Sequence, residues 1–425
     1  MIPTWGQQRG GATLSLDFIN NDNVLDSRIT FSRGSTATYY NSTGTLVSAA
    51  INVPRFDYNP STLAARGLLI EEQRTNLIRN SSATGASVGV APTNWSASGT
   101  TGSGLTATVV AVGTENGIPY VDYSFTGTAT ATGTALSLSF ETTTGAPVSA
   151  STGYASSFFL KLASGSQSDA TISLRIRWNN SGGSVITTVD SAALTPTTAA
   201  LSSQRATLGS NSPSTAAYIQ PQLRIAVVLG TVYNFTLRVA YPQSELGAFA
   251  TSVIPTTTVA VTRSADIATM TGTNFSSWYN QSQGTFITQF VLEGVKSVAG
   301  QRTIAADDGT NTNQILQSGS STNTFQTTVT TGGATQVSQT VPTITLTGNT
   351  VYKTALAYAT DNTISAVNTV LATNDTSCTM PTALTTFRFS TSGTSPTTVT
   401  ANLWYASLKF YPTRLPDSTL QALTT

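Results

Sequence analysis

The sequence contains no histidine in 425 residues. Histidine is the usual general base near neutral pH, the commonest zinc ligand and the central member of a Ser-His-Asp triad. Its absence removes most hydrolase mechanisms. Glycoside hydrolysis survives because that reaction needs only two suitably spaced carboxyl groups. We therefore expect a protein that is not an enzyme and that uses no cofactor.

Charged residues are also scarce, at 9% of the chain where an ordinary soluble domain carries about 25%. The net charge is +1, and no basic run is present that would neutralise a nucleic-acid backbone. No apolar run reaches the roughly 18 residues of a membrane span, and the first residues do not resemble a signal peptide. We expect no nucleic-acid partner, no membrane insertion and no signal-peptide export. The single cysteine, Cys378, is predicted to be a buried small apolar residue.

Threonine, serine, asparagine and glycine take the place of charge. Threonine suits strands because its branched Cβ packs on a pleated surface while its hydroxyl stays hydrated. Apolar and polar residues alternate in several segments, as in strands with one buried face: 172–178, 233–239, 285–292 and 386–389. The sequence predicts an all-β fold of tandem antiparallel β-sandwiches, jelly-roll or concanavalin-like. A short helix is predicted at residues 417–423, after Pro416.

Three parts are predicted along the chain. Residues 1–79 hold a concentration of charge and are interpreted as a smaller, β-rich attachment module; residues 80–264 and 265–425 are each interpreted as a sandwich. In a chain with so little charge, the ionic residues of the first part are candidates for docking to a partner. These are Arg55, Asp57, Glu71, Glu72 and Arg74. Packing within the chain is the favoured interpretation of these charges.

Several ordered phrases resemble a widespread group of phage and prophage virion proteins. In the first part these phrases are Thr30–Tyr39, Gly44–Leu46, Asn52–Tyr58 and Gly67–Leu77. Tyr241–Thr256 and Val261–Asp266 resemble the end of a sandwich similar to carbohydrate-binding modules. Trp278–Asn280 and Phe410–Leu415 are similar to the ends of a laminin-G or concanavalin-type lectin domain.

The resemblance implies a virion surface protein, displayed as a fibre or spike and adhesive toward host surface glycans. Its partners would be capsid, neck or tail proteins and further copies of itself, with a homotrimer favoured. It would be made in the host cytoplasm and released by lysis. A capsid decoration or head-fibre protein without a receptor is the structural alternative, and a capsule-polysaccharide depolymerase is the enzymatic one.

Glycan binding usually needs an exposed aromatic ring beside planar polar groups. The candidates are Trp95, Trp178, Asn179, Asn180, Trp278 and Tyr279. Trp178 is the most interesting of them because its strand runs directly into a polar turn. For each ring, a place in the core is the favoured interpretation.

Acidic residues supply the remaining candidates. None of the acids in the two sandwiches lies in a recognisable catalytic phrase; for a depolymerase, neutralising one acid such as Glu293 would abolish activity. The segment 307–313 is oxygen-rich, so Asp307, Asp308, Asn311 and Asn313 form a weak calcium candidate. A β-turn between two strands is the favoured interpretation of this segment.

Overall fold

The computed structural model describes residues 11–132, 135–167, 169–296, 300–391, 393–395 and 401–425. The first ten residues of the predicted N-terminal module lie outside this set. Within the described residues, strands dominate and every strand pairing is antiparallel. The predicted fold class, all-β with antiparallel sandwiches, is confirmed.

The N-terminal segment contributes seven short strands within the described residues. They are β1 (Leu14–Asp17), β2 (Thr30–Ser32), β3 (Ala37–Tyr40), β4 (Leu46–Ala49), β5 (Arg55–Tyr58), β6 (Ala65–Ile70) and β7 (Arg74–Asn76).

The middle of the chain carries longer strands. They are β8 (Ser96–Ser98), β9 (Leu105–Glu115), β10 (Ile118–Thr128), β11 (Ala135–Ser139), β12 (Ala146–Pro147), β13 (Gly153–Ser166), β14 (Thr171–Asn179), β15 (Val185–Asp190), β16 (Arg205–Asn211), β17 (Tyr218–Ala226) and β18 (Val232–Leu246). A helical turn, α1 (Thr100–Ser103), precedes β9, and a 3₁₀ turn (Leu201–Ser203) precedes β16.

The last part carries the remaining strands. They are β19 (Val261–Arg263), β20 (Ile267–Thr271), β21 (Gln283–Leu292), β22 (Gln301–Asp307), β23 (Gln314–Gly319), β24 (Thr324–Thr331), β25 (Ala334–Thr345), β26 (Val351–Ala359), β27 (Ile364–Val367), β28 (Val370–Leu371), β29 (Thr386–Phe389) and β30 (Leu403–Tyr411). The helices are α2 (Thr273–Ser276) and α3 (Asp417–Leu423). No helix in the described part of the chain is long and apolar enough to cross a membrane.

The central sandwich packs two sheets face to face. One has the order β15-β14-β17-β11-β8, with β12 beside β17, and the other has the order β16-β13-β18-β10-β9. Their inner faces share one apolar core that includes Trp178, Phe158 and Phe235. Because successive side chains on a strand point to opposite faces, Phe159 lies on the outer face while Phe158 enters this core.

The terminal sandwich is assembled from both ends of the chain. Its sheets have the orders β28-β27-β26-β21-β30-β6-β5, with β1 beside β30, and β2-β20-β29-β22-β23-β24-β25. Leu68 and Leu16 from the N-terminal segment share its core with Phe286, Phe389 and Phe410. Strands from residues 14–70 therefore complete the sandwich formed by residues 265–425.

The hairpin β3–β4 joins the N-terminal segment to the central sandwich. Leu46 on this hairpin packs with Ile118, Phe159 and Tyr241 on the outer face of the β13-β18-β10 sheet. β7 in turn pairs with β19, next to the chain segment that leaves the central sandwich. The N-terminal segment is thus in contact with both sandwiches, and the division at residues 79/80 and 264/265 stays a prediction.

The segments with alternating residues form strands as expected. They correspond to β14, β18, β21 and β29, and the predicted helix at 417–423 is α3. α3 packs Leu420 against Ala355 and Ala357 on the outer face of the terminal sandwich. Cys378 is buried, as predicted.

Gly67 provides a test of how the N-terminal segment locks into the terminal sandwich. Its φ is +99°, and a Cβ there would overlap the backbone carbonyl of Tyr405 in β30. We expect Gly67→Ala to lower the free energy of unfolding by about 3 kcal/mol or more, since strain and backbone overlap add. Gly89→Ala is the matched control: its φ is +79° and nothing lies within 4 Å, so only the conformational cost of about 1 kcal/mol applies. Urea unfolding of both variants measures the difference, and equal losses would contradict this account of Gly67.

Candidate functional site

Five buried charged side chains meet where the N-terminal segment reaches the two sandwiches. Arg55 pairs with Glu71 at 2.6 Å and also with Asp266; Arg33 pairs with Asp266 at 2.9 Å, and Arg263 with Glu71 at 3.0 Å. All five side chains are between 0% and 1% exposed. We call this set the junction network.

The junction network is fully hydrogen-bonded around its acids. Ser252, which follows the central sandwich, donates to Glu71 from its backbone N (2.8 Å) and its hydroxyl (2.7 Å). The backbone N of Glu71 donates to Asp266 at 2.9 Å. Burial by itself would raise the pKa of Glu71, but Arg263, Arg55 and these hydrogen bonds outweigh it and hold that pKa at about 2. Glu71 is therefore ionised, and its charge is paired with Arg55 and Arg263.

The docking surface for which Arg55, Asp57, Glu71, Glu72 and Arg74 are candidates is not formed in this structure. Arg55 and Glu71 belong to the junction network. Asp57 accepts hydrogen bonds from the Tyr40 backbone N (2.7 Å) and Trp404 Nε1 (2.8 Å). Arg74 is buried and pairs with Glu72, whose side chain is 21% exposed. These groups serve packing within the chain, because a charge buried in so apolar a protein must find an internal partner.

The predicted glycan-contact rings are core residues. Trp178 is fully buried against Tyr154, and Trp95 is buried against Phe140. Trp278 and Tyr279 lie with Phe275 inside the terminal sandwich. A buried ring offers no face on which a sugar could stack, so the core interpretation describes these positions.

The two asparagines beside Trp178 shape the turn that follows β14. Asn179 is buried and donates to the Thr144 carbonyl at 2.9 Å. Asn180 is partly exposed, and its Oδ1 accepts from the backbone N of Gly182 and of Ser184, both at 3.0 Å. Both amides are thus used for the local backbone, although Asn180 retains some access to solvent.

The calcium candidate is the β22–β23 turn. Asp307 is buried and pairs with Arg388 at 2.7 Å, while Asp308 Oδ1 accepts from the backbone N of Thr310 at 2.9 Å. Asn313 donates to Asp308 Oδ2 at 2.8 Å. The oxygens needed for a cation are taken by the protein, and the predicted turn between two strands is confirmed. Within the described ranges no cluster of three or more acidic or cysteine side chains could hold a metal ion.

A cavity of about 360 Å³ lies beside the junction network. Its walls come from β3 (Tyr39 and Tyr40), the β5–β6 hairpin, the 3₁₀ turn before β16, and the ends of β21 and β30 in the terminal sandwich. The N-terminal segment and both sandwiches thus each contribute a wall. We call it the junction cavity; its volume is in the range of a small-ligand site.

Arg66 and Trp404 form the most distinctive wall of the junction cavity. The guanidinium of Arg66 lies 4.6 Å from the centre of the Trp404 ring, and it stands 3.9 Å from Asp57 Oδ2. The Arg66 side chain is 29% exposed. Arg66 has no closer ion pair or hydrogen bond within the described residues, so its N–H groups are available to a ligand.

Three residues that line the junction cavity carry polar atoms that the protein leaves unpaired. Among the described residues, Ser202 Oγ, Arg205 Nε and Glu293 Oε2 are screened from water and have no hydrogen-bond partner. Arg205 donates its other N–H groups to the Thr251 carbonyl (2.7 Å) and to Ser157 Oγ (2.9 Å). Unpaired buried polar atoms are costly and rare in native proteins. All three atoms belong to residues that line the junction cavity, although the atoms themselves are covered.

The pKa of Glu293 is shifted at this site. Burial raises the pKa of Glu293 well above its ordinary value, and the negative charge of Glu71 adds to the shift. Burial also raises the pKa of Asp57, against the opposing effects of the Tyr40 backbone N–H and the Arg66 charge. Burial thus favours the neutral form of both carboxyl groups, and the shift is the larger for Glu293.

The sequence indicates Glu293 only as an example of a possible catalytic acid and Trp404 only as one of the large rings available for sugar binding, and it does not join Arg66, Tyr40, Arg205 and Trp404 into a site. The four residues come from β3, β6, β16 and β30, and no local phrase joins them. The one usable signal was the concentration of charge before residue 80, which includes Arg66.

Comparisons with known proteins give partial likenesses. No protein family matches the sequence, and no curated protein matches it. Among solved structures, the carbohydrate-binding module CBM40 of the Ruminococcus gnavus IT-sialidase is 14% identical, covers 34% of this chain and 84% of its own, and has a TM-score of 0.30. The SAP-like pentraxin of Limulus polyphemus is 10% identical over 34% of this chain and 70% of its own, with a TM-score of 0.27. The NanB sialidase of Streptococcus pneumoniae is 8% identical over 34% of this chain and 24% of its own, with a TM-score of 0.31. Each likeness spans about a third of this chain.

The junction network gives a stability prediction. Arg55→Ala leaves Glu71 and Asp266 buried with one partner fewer, and breaking a buried ion pair costs about 3–5 kcal/mol. The control is Arg175→Ala, which breaks a partly exposed pair with Asp190 at 2.6 Å and should cost about 1 kcal/mol or less. Chemical denaturation measures both. Similar losses for the two variants would show that the network is not a special source of stability.

Glu293 gives a pH prediction. A folded-state pKa above the unfolded value of 4.5 means that its contribution to stability is complete below about pH 4.5 and is lost as the pH rises through the folded pKa. Glu293→Gln keeps the neutral form at every pH. We expect it to match the wild type near pH 4.5 and to melt several degrees higher at about pH 9.

Glu115→Gln is the control for this experiment. The pKa of Glu115 is lowered: burial opposes the shift, but the Leu201 backbone N–H and the cations Lys161 and Arg238 outweigh it. This variant should therefore be less stable than the wild type by a constant amount above about pH 4.5, and the difference should shrink as the pH falls below that value. A difference between Glu293→Gln and wild type that does not change with pH would refute the assigned protonation state.

Proposed function

We propose that this protein is a non-enzymatic glycan-binding protein that uses the junction cavity to hold a sugar, and that it is displayed on the surface of a phage particle. The observation that carries the binding function is the junction cavity itself. Arg66 presents N–H groups without a close partner beside the Trp404 ring, and Asp57 and Arg205 add further charged groups to the lining. A sugar ring has the hydroxyl groups that such walls require.

The proposed place on a virion is supported by the sequence phrases. They run in order from Thr30–Tyr39 to Phe410–Leu415 and resemble a group of phage and prophage virion proteins. The low charge and the threonine-rich strands suit a protein that acts by shape and adhesion. Fibre or spike assembly, favoured as a homotrimer, and contact with capsid, neck or tail proteins belong to the same proposal.

A capsid decoration or head-fibre protein without a receptor is the structural alternative. Antibody labelling of intact particles separates the two placements: signal on the tail supports adsorption to a host, and signal over the head supports decoration. In the second case, loss of the protein should leave adsorption to the host unchanged.

A polysaccharide depolymerase is the enzymatic alternative, and one observation favours it. Glu293 and Asp57 line the same cavity, and Glu293 keeps its proton as a general acid would. Against it, both oxygens of Asp57 already accept hydrogen bonds, from Tyr40 and Trp404. Release of reducing ends from host polysaccharide by the wild type, but not by Glu293→Gln, would establish the enzyme and remove the non-enzymatic proposal.

The binding function predicts a specific loss. On an array of neutral and acidic bacterial glycans, Arg66→Ala should weaken binding of every glycan that the wild type retains by roughly tenfold or more, since a hydrogen bond from a charged group contributes about 1.5–3 kcal/mol. Arg175→Ala removes an arginine from a remote surface pair and should bind as the wild type does. Unchanged binding by Arg66→Ala, or no binding of any glycan by the wild type, would exclude the junction cavity as a glycan site.

A further inference from the structure

The charges around the junction cavity do not balance. Two guanidinium groups, Arg66 and Arg205, line it. Arg205 has no carboxylate within ion-pair distance among the described residues, and Arg66 has only Asp57 at 3.9 Å. Both cations lie close enough to Tyr40 to lower its pKa, although burial outweighs them and raises it. The two arginines therefore act on one small space.

The acids of the cavity offset only part of the charge of these arginines. Asp57 lies 3.9 Å from Arg66 and offsets one of the two positive charges, while its oxygens also accept from the Tyr40 backbone N and from Trp404 Nε1. Burial, with the negative charge of Glu71 adding to it, raises the pKa of Glu293 and favours its neutral form. A neutral carboxyl group adds an O–H donor and no negative charge. The remaining field in the cavity is positive.

The hydrogen-bonding groups of the cavity also favour an anionic ligand. Arg66 offers its guanidinium N–H groups, and Arg205 adds a second guanidinium to the lining of the cavity. The carboxylate oxygens of Asp57 are the natural acceptors, and they are occupied. A ligand that suits this cavity must bring acceptors and negative charge.

We infer that the junction cavity selects sugars that carry a carboxylate, such as uronic-acid residues, and that the carboxylate pairs with Arg66 and is held in the field of Arg205. This inference rests on the glycan-binding function proposed above and adds the class of ligand. Arg66 supplies the contact because its guanidinium is held over Trp404 and remains accessible. Arg205, which lines the same cavity, adds positive charge to it.

The test compares two forms of one oligomer. Oligogalacturonate carries a carboxylate on each residue, and its methyl ester is a neutral molecule of nearly the same shape. Titration calorimetry of the full chain should give a dissociation constant at least about tenfold lower for the acid than for the ester. Raising the salt concentration should reduce that ratio, because part of the attraction is between charges.

Single substitutions show which arginine produces the preference for the acid. Arg66→Ala should abolish the preference for the acid, and Arg66→Lys should retain part of it, since lysine keeps the charge and loses the paired N–H geometry. Arg205→Met should reduce the preference while keeping an apolar contact with Phe159. Arg175→Ala should retain the full preference. Melting temperatures of all variants verify that they fold.

The outcomes distinguish this inference from the function on which it rests. Equal affinity for acid and ester, or binding confined to neutral glycans of the array, overturns the carboxylate preference and leaves glycan binding intact. Tighter binding of a dextran sulfate oligomer at equal charge overturns the carboxylate in favour of a sulfate. Absence of binding to every glycan overturns both.

Discussion

Five charged side chains without access to water meet where the N-terminal segment touches both sandwiches. Each of Arg33, Arg55, Glu71, Arg263 and Asp266 would be costly to bury alone, and the structure keeps them buried by pairing residues that are far apart in the chain. Arg55 contacts Glu71 on the next strand of its own hairpin and Asp266 at the start of the terminal sandwich. The position of each partner is therefore fixed by the others, and every other feature of the junction depends on that arrangement.

The junction cavity is a consequence of the same arrangement. β5 and β6 bring Asp57 and Arg66 to Trp404, while Ser252, which donates to Glu71, also lies in the cavity wall. Packing of the β3–β4 hairpin on the outer face of the central sandwich adds Tyr40 and brings the wall with Ser202 and Arg205 alongside. Burial raises the pKa of Glu293 well above its ordinary value, and the negative charge of Glu71 in the network adds to the shift. The network thus influences the electrostatics of a site that none of its arginines lines.

Residue patterns predicted much of the fold and little of the site. Alternation along β14, β18, β21 and β29 identifies strands because a period of two is a local property of an extended chain. The same alternation predicts which face of β14 carries Trp178. It does not predict whether that face lies in a core, since burial depends on the opposing sheet. Trp178 was therefore selected as a glycan candidate although the second sheet covers it completely. Arg66 and Trp404 were not joined, because 338 positions separate them and a strand pairing brings them together.

By itself, the sequence determined the all-β class, the lack of histidine chemistry, several strand positions and the C-terminal helix, since each follows from composition or from local periodicity. Only the tertiary structure decided that the charges of the N-terminal segment face inward and that this segment completes the terminal sandwich. It also decided that the available arginine lies over a tryptophan from the far end of the chain. The physical reason is that ion pairing and burial are set by distances between segments, and a linear pattern contains no such distances.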